Sequence, residues 1–228
     1  MTMAILPARG GSKRIPRKNI RPFAGRPMIA WPIAAARESG LYTRVIVSTD
    51  DDEIAEIARA EGAEVPFRRP PALSGDHTGT LPVIAHAVEA LGATGPVTCI
   101  YPSAPFVQPS DLIRAHDLLS EGVEYVVPVA SFGHPIERAL RQTADGMLTM
   151  DDPERARTRT QDLPPAYHDA GQFYIGPAET FLAGRPILAS RTRGFVLPRW
   201  RVVDIDTEED WQQAELLFAA VRGTERSS

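Results

Sequence analysis

The chain is short of cysteine and of long apolar runs. It has 228 residues and one cysteine, Cys99, which excludes an internal disulfide and a cysteine-rich metal site. No apolar run approaches the roughly 18 residues that a membrane-spanning helix needs. The N-terminus shows no charged region followed by a long apolar core, so we expect no secretory signal. These absences predict a cytoplasmic protein without a membrane partner.

An excess of positive charge is also missing. Lys and Arg number 25 against 29 Asp and Glu, which gives a formal net charge of −4 and argues against nucleic acid as a partner. The hydrophobic content of 43% is ordinary for a globular protein. The length suits one α/β domain with an insertion. Positive charge is nevertheless concentrated in one segment near the N-terminus.

That segment is a basic loop after the first apolar run. Residues 3–6 predict a buried strand, and residues 6–19 then read LPARGGSKRIPRKN, with two glycines, one serine and five cations. Glycines let backbone N–H groups approach phosphate oxygens, and Arg and Lys neutralise the phosphate charge. The pattern favours a polyphosphate site, while a solvated basic turn and a generic anion site remain alternatives. Neither a Walker A nor a G-x-G-x-x-G motif is present, which argues against a P-loop kinase and a dehydrogenase.

Patterns typical of strands and of helices alternate through most of the chain. Short apolar or β-branched runs are separated by stretches in which apolar residues recur at helical spacing. This order predicts a three-layer α/β fold with a mainly parallel sheet. Predicted strands are 44–49, 63–67, 97–101, 125–129, 171–175, 195–197 and 201–205; predicted helices include residues 54–58, 81–91, 110–119 with Ser110 as N-cap, and 207–221 with Thr207 as N-cap.

The alternation breaks between Ser131 and Asp169. This stretch is too long for a simple connection, and it contains a possible hairpin around Asp145 and Gly146. It therefore predicts an insertion at about 131–167 that closes a site or forms a subunit contact, with a disordered flap as the alternative. The chain as a whole predicts a single domain over residues 1–222 and a frayed tail at 223–228.

Two carboxylates near the C-terminus, Asp204 and Asp206, are separated by one residue. On a strand, alternate side chains share a face, so both would point the same way. Mg²⁺ takes a few carboxylates together with phosphate oxygens and water. Opposite a basic phosphate loop, the pair predicts a Mg²⁺ site. The alternative is that Asp206 only caps the helix that follows.

The basic loop resembles the signature of the acylneuraminate cytidylyltransferases, which make CMP-sugars from CTP. Further segments match elements of that family in the family's order and cover nearly the whole chain. Within the family the chain resembles the pseudaminic acid enzymes, because sialic acid enzymes typically carry Gln where Tyr101 stands and Kdo enzymes carry Gly-Lys-Pro in the region of residues 17–19. The matching segments are 47–50, 69–76, 78–80, 101–106, 167–174 and 204–210.

The resemblance implies a Rossmann-like nucleotidyltransferase fold with a dimerisation insertion, a homodimer and Mg²⁺ as cofactor. It implies that CTP and a nine-carbon keto-sugar acid react to give the CMP-sugar and pyrophosphate. The implied catalytic residues are Arg9, Lys18, Asp204 and Asp206, of which Asp204 and Asp206 hold the metal. The implied nucleotide-binding residues are Ala8, Arg9, Gly10, Gly11, Ser12, Lys18, Asn19, Arg69 and Thr80, and the implied sugar-binding residues are Tyr101, His168, Asp169 and Gln172.

Several alternatives stay open from the sequence. The sugar acid is pseudaminic, sialic or legionaminic acid, and a related nucleotidyltransferase could use another base or sugar. A nucleotide-binding homologue without turnover is a third class, against which the retention of Lys18, Asp204 and Asp206 argues. The general base is an Mg²⁺-bound hydroxide, an aspartate, or no discrete group.

Overall fold

A seven-stranded sheet lies at the centre of the protein. The computed structural model describes the backbone of residues 1–225 and the side chains of residues 1–155 and 157–221. The strands are β1 (Met3–Pro7), β2 (Pro22–Phe23), β3 (Arg26–Pro27), β4 (Arg44–Ser48), β5 (Pro96–Ile100), β6 (Tyr125–Ser131), β7 (Leu140–Gln142), β8 (Leu148–Met150), β9 (Tyr167–Asp169), β10 (Phe173–Pro177) and β11 (Thr192–Val196). The helices are α1 (Ala30–Glu38), α2 (Asp52–Ala60), α3 (Thr80–Leu91), α4 (Pro109–His116), α5 (Ala178–Leu182) and α6 (Glu208–Glu225).

The sheet is mostly parallel. Its order is β11-β6-β10-β5-β1-β4, with β9 paired to β6. Strand β1 is parallel to β4 and β5, and β6 is parallel to β11, whereas β10 is antiparallel to both β5 and β6. Five of the seven strands therefore run in one direction, which confirms the predicted mainly parallel α/β sheet.

Helices cover both faces of the sheet. One apolar core contains Ala4 and Leu6 of β1 together with side chains of α1, α2 and α4. The other contains Met3 and Ile5 together with side chains of α3 and α5. Alternate residues of a strand point to opposite faces, so β1 is apolar along its whole length, as a strand covered on both sides requires. The predicted three layers are confirmed.

A third apolar cluster attaches α6 beside the basic loop. It combines Ile15 and Phe23 with Trp211 and Phe218 of α6, and it includes Ile205. The rings of Phe23 and Trp211 meet edge-on with their centroids 5.4 Å apart. This cluster places the start of α6, and the aspartates before it, next to the basic loop.

Two predicted strands are not strands of the sheet. In the described structure, residues 63–67 contain a single isolated bridge, Ile46 with Glu64, and a second bridge, Thr49 with Arg68, follows just after them. Residues 201–205 pair with no strand of the described part of the chain, because the chain turns through a 3-10 helix at Arg199–Arg201 and then buries Ile205, which is 1% exposed, in the α6 cluster. The apolar alternation of 201–205 thus reflects packing against a helix and not sheet pairing.

Two helix ends also differ from the predictions. Helix α4 has Gln108 as its N-cap and Pro109 in its first turn, so Ser110 lies inside the helix; proline suits the first helical position because its missing N–H has no partner there. Helix α6 continues to Glu225. Of the tail predicted to be frayed, residues 226–228 lie outside the described residues. No helix of the described part is long and apolar enough to cross a membrane.

The insertion carries a hairpin of its own. Strands β7 and β8 pair with each other as a two-stranded sheet separate from the central sheet in the described chain, and Gly146 at the turn has a φ of +87°. The predicted hairpin around Asp145 and Gly146 is confirmed. Its apolar side chains are exposed, with Leu140 at 56%, Met147 at 66% and Leu148 at 61%. A role of this hairpin in a subunit contact stays a prediction.

Candidate active site

A cleft of about 480 Å³ opens where β1 and β5 end. In open α/β sheets ligands bind beyond the carboxyl ends of the strands. Three segments form most of its wall: the basic loop, residues 73–83 at the start of α3, and residues 101–103 after β5. Its lining comprises Pro7, Arg9, Ser12, Lys13, Arg14, Ile15, Lys18, Asn19, Arg69, Leu73, Gly75, Asp76, Thr78, Gly79, Thr80, Val83, Tyr101, Pro102, Ser103 and Asp206.

The basic loop is folded by its own contacts. The buried side chain of Asn19 donates to the carbonyl oxygen of Arg9 at 3.0 Å. A Cβ on Gly10 would lie 2.6 Å from the Asp51 carboxylate, so a larger residue would force that side chain to shift. The Gly10 N–H donates to Asp50 at 3.2 Å. Ala8 is fully buried. Ala8 and Gly10 therefore shape the loop, while Gly11 is exposed; none of the three is in the cleft lining, and their predicted contacts with the nucleotide stay a prediction.

Four of the five loop cations point into the cleft and meet two carboxylates there. Arg9 lies 2.9 Å from Asp76, and Lys13 contacts the same carboxylate. Arg14 lies 2.8 Å and Lys18 3.5 Å from Asp206. Each carboxylate therefore bridges two cations in a space lined by the phosphate-type loop. A polyphosphate can bind these cations by displacing the carboxylates of Asp76 and Asp206 from them.

The fifth cation, Arg17, has a different place. It contacts Asp51 at 2.5 Å, and this hydrogen bond lowers the pKa of the Asp51 carboxyl group. Asp51 is also the N-cap of α2, since its side chain accepts the N–H of Ile54 at 2.9 Å. Arg17 therefore joins the basic loop to α2 and does not contribute to the cleft lining.

The aspartate pair approaches the loop from the α6 side. Asp206 forms ion pairs with Lys18 and Arg14. Thr207 and Asp210 cap α6 instead. The Asp210 N–H donates to the Thr207 hydroxyl at 3.2 Å, and the Thr207 N–H donates to the Asp210 carboxylate at 2.7 Å. The capping box satisfies the helix start. The alternative in which Asp206 serves only as the cap is therefore wrong, and Thr207 is confirmed as the N-cap.

The negative charge of Asp206 affects the pKa of its neighbour Asp204. The pKa of Asp204 is raised, first by burial of the carboxyl group and then by the negative charge of Asp206, while Lys18 and Arg14 act in the opposite direction. The described residues contain no group of three or more His, Cys, Asp or Glu side chains that could hold a metal. Two mutually repelling carboxylates beside a phosphate-type loop nevertheless fit Mg²⁺, which completes its shell with phosphate oxygens and water.

Arg69 forms part of the cleft floor. It is 5% exposed and donates to the carbonyl oxygen of Ala8 and to Asp50, both at 3.2 Å. Burial lowers its pKa, although Asp50 opposes this effect. Its Nε has no hydrogen-bond partner among the described residues. Arg69 thus ties the basic loop to the end of β4 and leaves one donor uncommitted beside the cleft.

The wall opposite the basic loop carries a row of hydroxyl groups. The hydroxyl groups of Thr80 and Tyr101 lie 2.9 Å apart. The rings of Tyr101 and Tyr174 meet edge-on with centroids 5.6 Å apart, and Tyr174 donates to Asp169 at 2.5 Å. Burial raises the pKa of both tyrosines. The structure therefore brings Thr80, Tyr101 and Asp169 together, as predicted site residues, through a tyrosine that sequence reasoning had not selected.

The other two predicted sugar-binding residues are placed differently. His168 is exposed, with its Nδ1 2.9 Å from the carbonyl oxygen of Asp169. Gln172 is 3% exposed, donates to the carbonyl oxygen of Arg201 at 2.6 Å, and leaves its Oε1 without a partner among the described residues. It lies beneath the cleft and not in the lining seen here. A direct sugar contact by Gln172 stays a prediction.

Sequence reasoning missed Tyr174, Asp76 and the pair Arg201–Asp111 as contributors. Arg201 contacts Asp111 in a fully buried ion pair and accepts the Gln172 amide on its carbonyl oxygen, so it anchors the segment that leads to Asp204. Gly171, with a φ of +61°, separates β9 from β10. Because it interrupts the alternation of side chains between Asp169 and Tyr174, nothing in the sequence indicated that these two residues meet. Asp76 lies in the segment 69–76 that carries part of the family resemblance, but no role was assigned to it.

Comparisons with known proteins identify the family of the chain. A profile described as cytidylyltransferase matches residues 3–222. Pseudaminic acid cytidylyltransferase of Campylobacter jejuni is 38% identical over 221 residues, 95% of each chain. CMP-N,N'-diacetyllegionaminic acid synthase of Legionella pneumophila is 30% identical over 233 residues, 95% of each chain. The structure of CMP:2-keto-3-deoxy-manno-octonic acid synthetase complexed with CTP has a TM-score of 0.71 at 16% identity and covers 96% of this chain and 98% of its own. The chain therefore belongs to the cytidylyltransferase family and is an enzyme of the nucleotidyltransferase class.

Proposed function

We propose that the protein is a Mg²⁺-dependent cytidylyltransferase that joins CTP to a nonulosonic acid, pseudaminic acid, to give the CMP-sugar and pyrophosphate. The observation that carries the proposal is the meeting of Lys18 and Arg14 with Asp206 in the cleft. The choice of sugar is supported by the 38% identity over 95% of the chain to the C. jejuni pseudaminic acid enzyme.

The chain's own residues bind and orient the nucleotide. Arg9, Lys13, Arg14 and Lys18 hold the triphosphate, which takes the place of the Asp76 and Asp206 carboxylates on these cations. The anomeric hydroxyl of the sugar acid attacks the α-phosphorus, the bond to the β-phosphate breaks, and pyrophosphate leaves. Positioning and charge neutralisation supply most of the rate enhancement in such a transfer. Mg²⁺ bound by Asp204 and Asp206 would neutralise charge on the phosphate oxygens.

A homodimer is part of the proposal. The β7–β8 hairpin exposes three large apolar side chains, Leu140, Met147 and Leu148, and contiguous exposed apolar surface marks an interaction site. Covering these side chains with a second copy removes them from water. Light scattering of the purified protein should give twice the mass of the chain, and a monomer at micromolar concentration would contradict this part.

A second candidate product is a CMP-legionaminic acid. The L. pneumophila synthase aligns over the same share of both chains as the pseudaminic acid enzyme does, at 30% identity. The two acids differ in configuration at several carbons, and we expect the polar residues near His168 and Asp169 to recognise that difference.

A substrate panel tests the proposed function. Pyrophosphate release is measured with CTP, UTP, ATP and GTP against pseudaminic, legionaminic and sialic acids, with and without Mg²⁺, and products are identified by mass spectrometry. We expect the highest kcat/KM for CTP with pseudaminic acid and none without divalent metal. Equal rates for all four nucleotides would contradict the cytidylyltransferase assignment, and a higher kcat/KM for another acid would reassign the sugar.

A further inference from the structure

Arg17 has a backbone conformation that residues with a side chain rarely adopt. Its φ is +56°, and among the described residues only Ala24, with a φ of +48°, shares a positive φ without being glycine. The left-handed region is strained for a residue with a Cβ, whereas glycine enters it freely. Because the chain carries arginine here, we looked for contacts of the arginine side chain that offset the strain.

The side chain of Arg17 makes such contacts at the start of α2. Its guanidinium group donates to both oxygens of the Asp51 carboxylate, at 2.5 and 3.2 Å, and also contacts Glu53. Bidentate contacts of this kind fix direction as well as distance. Asp51 is itself held in place, because its carboxylate accepts the N–H of Ile54 as the N-cap of α2. The end of the Arg17 side chain is therefore fastened to a helix that packs against the sheet.

The Asp51 carboxylate also lies against the other end of the basic loop. It is the group that a Cβ on Gly10 would approach to 2.6 Å. The neighbouring Asp50 accepts the Gly10 N–H at 3.2 Å. The loop between residues 10 and 17 is therefore attached at both ends to one part of the fold, the junction between β4 and α2.

The residue after Arg17 is directed elsewhere. Lys18 lines the cleft, with its Nζ 3.5 Å from Asp206, whereas Arg17 is absent from the lining that the described residues form. Backbone hydrogen bonds hold the turn between them: the Lys18 N–H donates to the carbonyl oxygen of Ile15 at 3.2 Å, and the Arg17 carbonyl oxygen accepts the N–H of Ile20 at 2.9 Å. The left-handed turn thus sends two adjacent cations to different places, one to α2 and one to the cleft.

We propose that Arg17 is a positioning residue, whose contacts with α2 hold the strained turn that directs Lys18 at the phosphates of the nucleotide. This inference rests on the proposed function, in which Lys18 binds the triphosphate. Arg17 itself stays outside the cleft and does not touch the nucleotide. Without its contacts, the Lys18 ammonium group spends less time at the position that the transition state requires, so kcat falls more than CTP binding weakens.

The first test replaces Arg17 with glycine, which adopts the left-handed turn without strain but has no side chain to hold it. We expect kcat to fall about tenfold, roughly the effect of one hydrogen bond to a charged group, and the KM for CTP to change less than about threefold. The melting temperature should stay within about two degrees of the wild type, because relief of strain offsets the lost ion pairs. A purely structural role would lower the melting temperature and leave kcat of the folded enzyme unchanged.

A double variant shows whether Arg17 acts through Lys18. Lys18→Met removes the group that is positioned, so adding Arg17→Gly to it should lower kcat by less than a further factor of about two, whereas independent effects would multiply. Asp51→Asn breaks the same contact from the other side. Asparagine keeps the N-cap of α2 but lacks the negative charge, so kcat should fall in this variant as well.

The matched control is Ala24→Gly. It makes the same backbone change at the other residue with a positive φ, which is exposed and lies outside the cleft lining. Relief of strain alone should leave its kcat at the wild-type value. A loss of kcat in Ala24→Gly equal to that in Arg17→Gly would overturn the inference, because the effect would then come from backbone freedom anywhere in the chain.

The remaining outcomes are distinct. Wild-type kcat in both Arg17→Gly and Asp51→Asn overturns the inference, and so does a multiplicative loss in the double variant with Lys18→Met. If the wild type releases no pyrophosphate with any acid, the proposed function fails instead. Hydrogen exchange of nucleotide-free protein then still decides whether Arg17 holds the loop: Asp51→Asn should speed exchange in peptides covering residues 9–21 and leave α2 unchanged, and unchanged exchange in both overturns the inference.

Discussion

The two walls of the cleft are built in opposite ways. On the basic-loop wall several charged side chains are exposed, 38% for Arg9, 36% for Asp76 and 80% for Lys13. On the hydroxyl wall, Tyr174 is 6% exposed, and its hydroxyl donates a hydrogen bond to Asp169. Exposed ion pairs contribute only about 0–1 kcal/mol, while an orphaned buried polar group costs about 1–3 kcal/mol.

The basic-loop wall is the one that changes partners when a ligand arrives. Displacing the carboxylates from the loop cations costs little free energy, so a triphosphate can replace them. The hydroxyl row cannot exchange its partners without leaving a buried group unpaired. One wall is therefore suited to capturing charge and the other to holding a fixed pattern of donors and acceptors.

The largest effect should come from the carboxylate that meets the loop. Asp206→Asn removes the charge that faces Lys18 and Arg14 and one of the two proposed metal ligands, so we expect kcat to fall by at least about a thousandfold. Circular dichroism and thermal unfolding should remain close to those of the wild type, since the Thr207–Asp210 box still caps α6. Turnover within a few-fold of the wild type would rule out the metal assignment.

The next effect separates two lysines of the same loop. Lys18 has a side chain only 16% exposed and reaches Asp206, whereas Lys13 is 80% exposed. We expect Lys18→Met to lower kcat about a hundredfold, because a partly buried cation stabilises transition-state charge strongly, and Lys13→Met to change it less than about threefold. Steady-state pyrophosphate release at saturating CTP measures both. Equal effects in the two variants would show that the cations act only as a diffuse positive field.

A smaller effect, and a gain, is expected at Asp76. Asp76→Asn frees Arg9 and Lys13 from their carboxylate, so the KM for CTP should fall about threefold at low salt, and the gain should shrink at high salt because screening weakens both interactions. Asp52→Asn, at an exposed carboxylate paired with Arg68 outside the cleft, is the control and should leave the KM unchanged. A higher KM in Asp76→Asn would mean that Asp76 helps to hold the nucleotide.

The smallest effect concerns stability. Since the pKa of Asp204 is raised in the folded protein, this group holds its proton more tightly there than in the unfolded chain. The contribution of Asp204 to the free energy of unfolding therefore falls as the pH rises from the ordinary Asp pKa of about 3.9 through the raised pKa of the folded protein. Asp204→Asn should unfold about one or two degrees above the wild type at neutral pH, with the difference vanishing near pH 3. Scanning calorimetry across this range measures it, and a lower melting temperature at neutral pH would contradict the repulsion between Asp204 and Asp206.

Much of the fold was predictable because its signals are local. Apolar runs such as 44–49 and 97–101 identify strands, and the capping box at Thr207 identifies the start of α6, since these patterns depend on neighbours within a turn or two. The segment 201–205 shows the limit. Its alternation is that of a strand, yet whether a sheet edge or a helix covers its apolar side chains depends on distant parts of the chain.

The order of amino acids is enough to identify the chemical groups that are available: a glycine-containing basic loop, a carboxylate pair, and aromatic and acidic residues around position 170. Which of these groups meet depends on the tertiary fold. Lys18 and Asp206 are separated by 188 positions, and Thr80 and Tyr101 by 21. The hydrogen bond from Tyr174 to Asp169 likewise depends on the fold, because the two residues lie on different strands and only their tertiary placement brings the hydroxyl to the carboxylate.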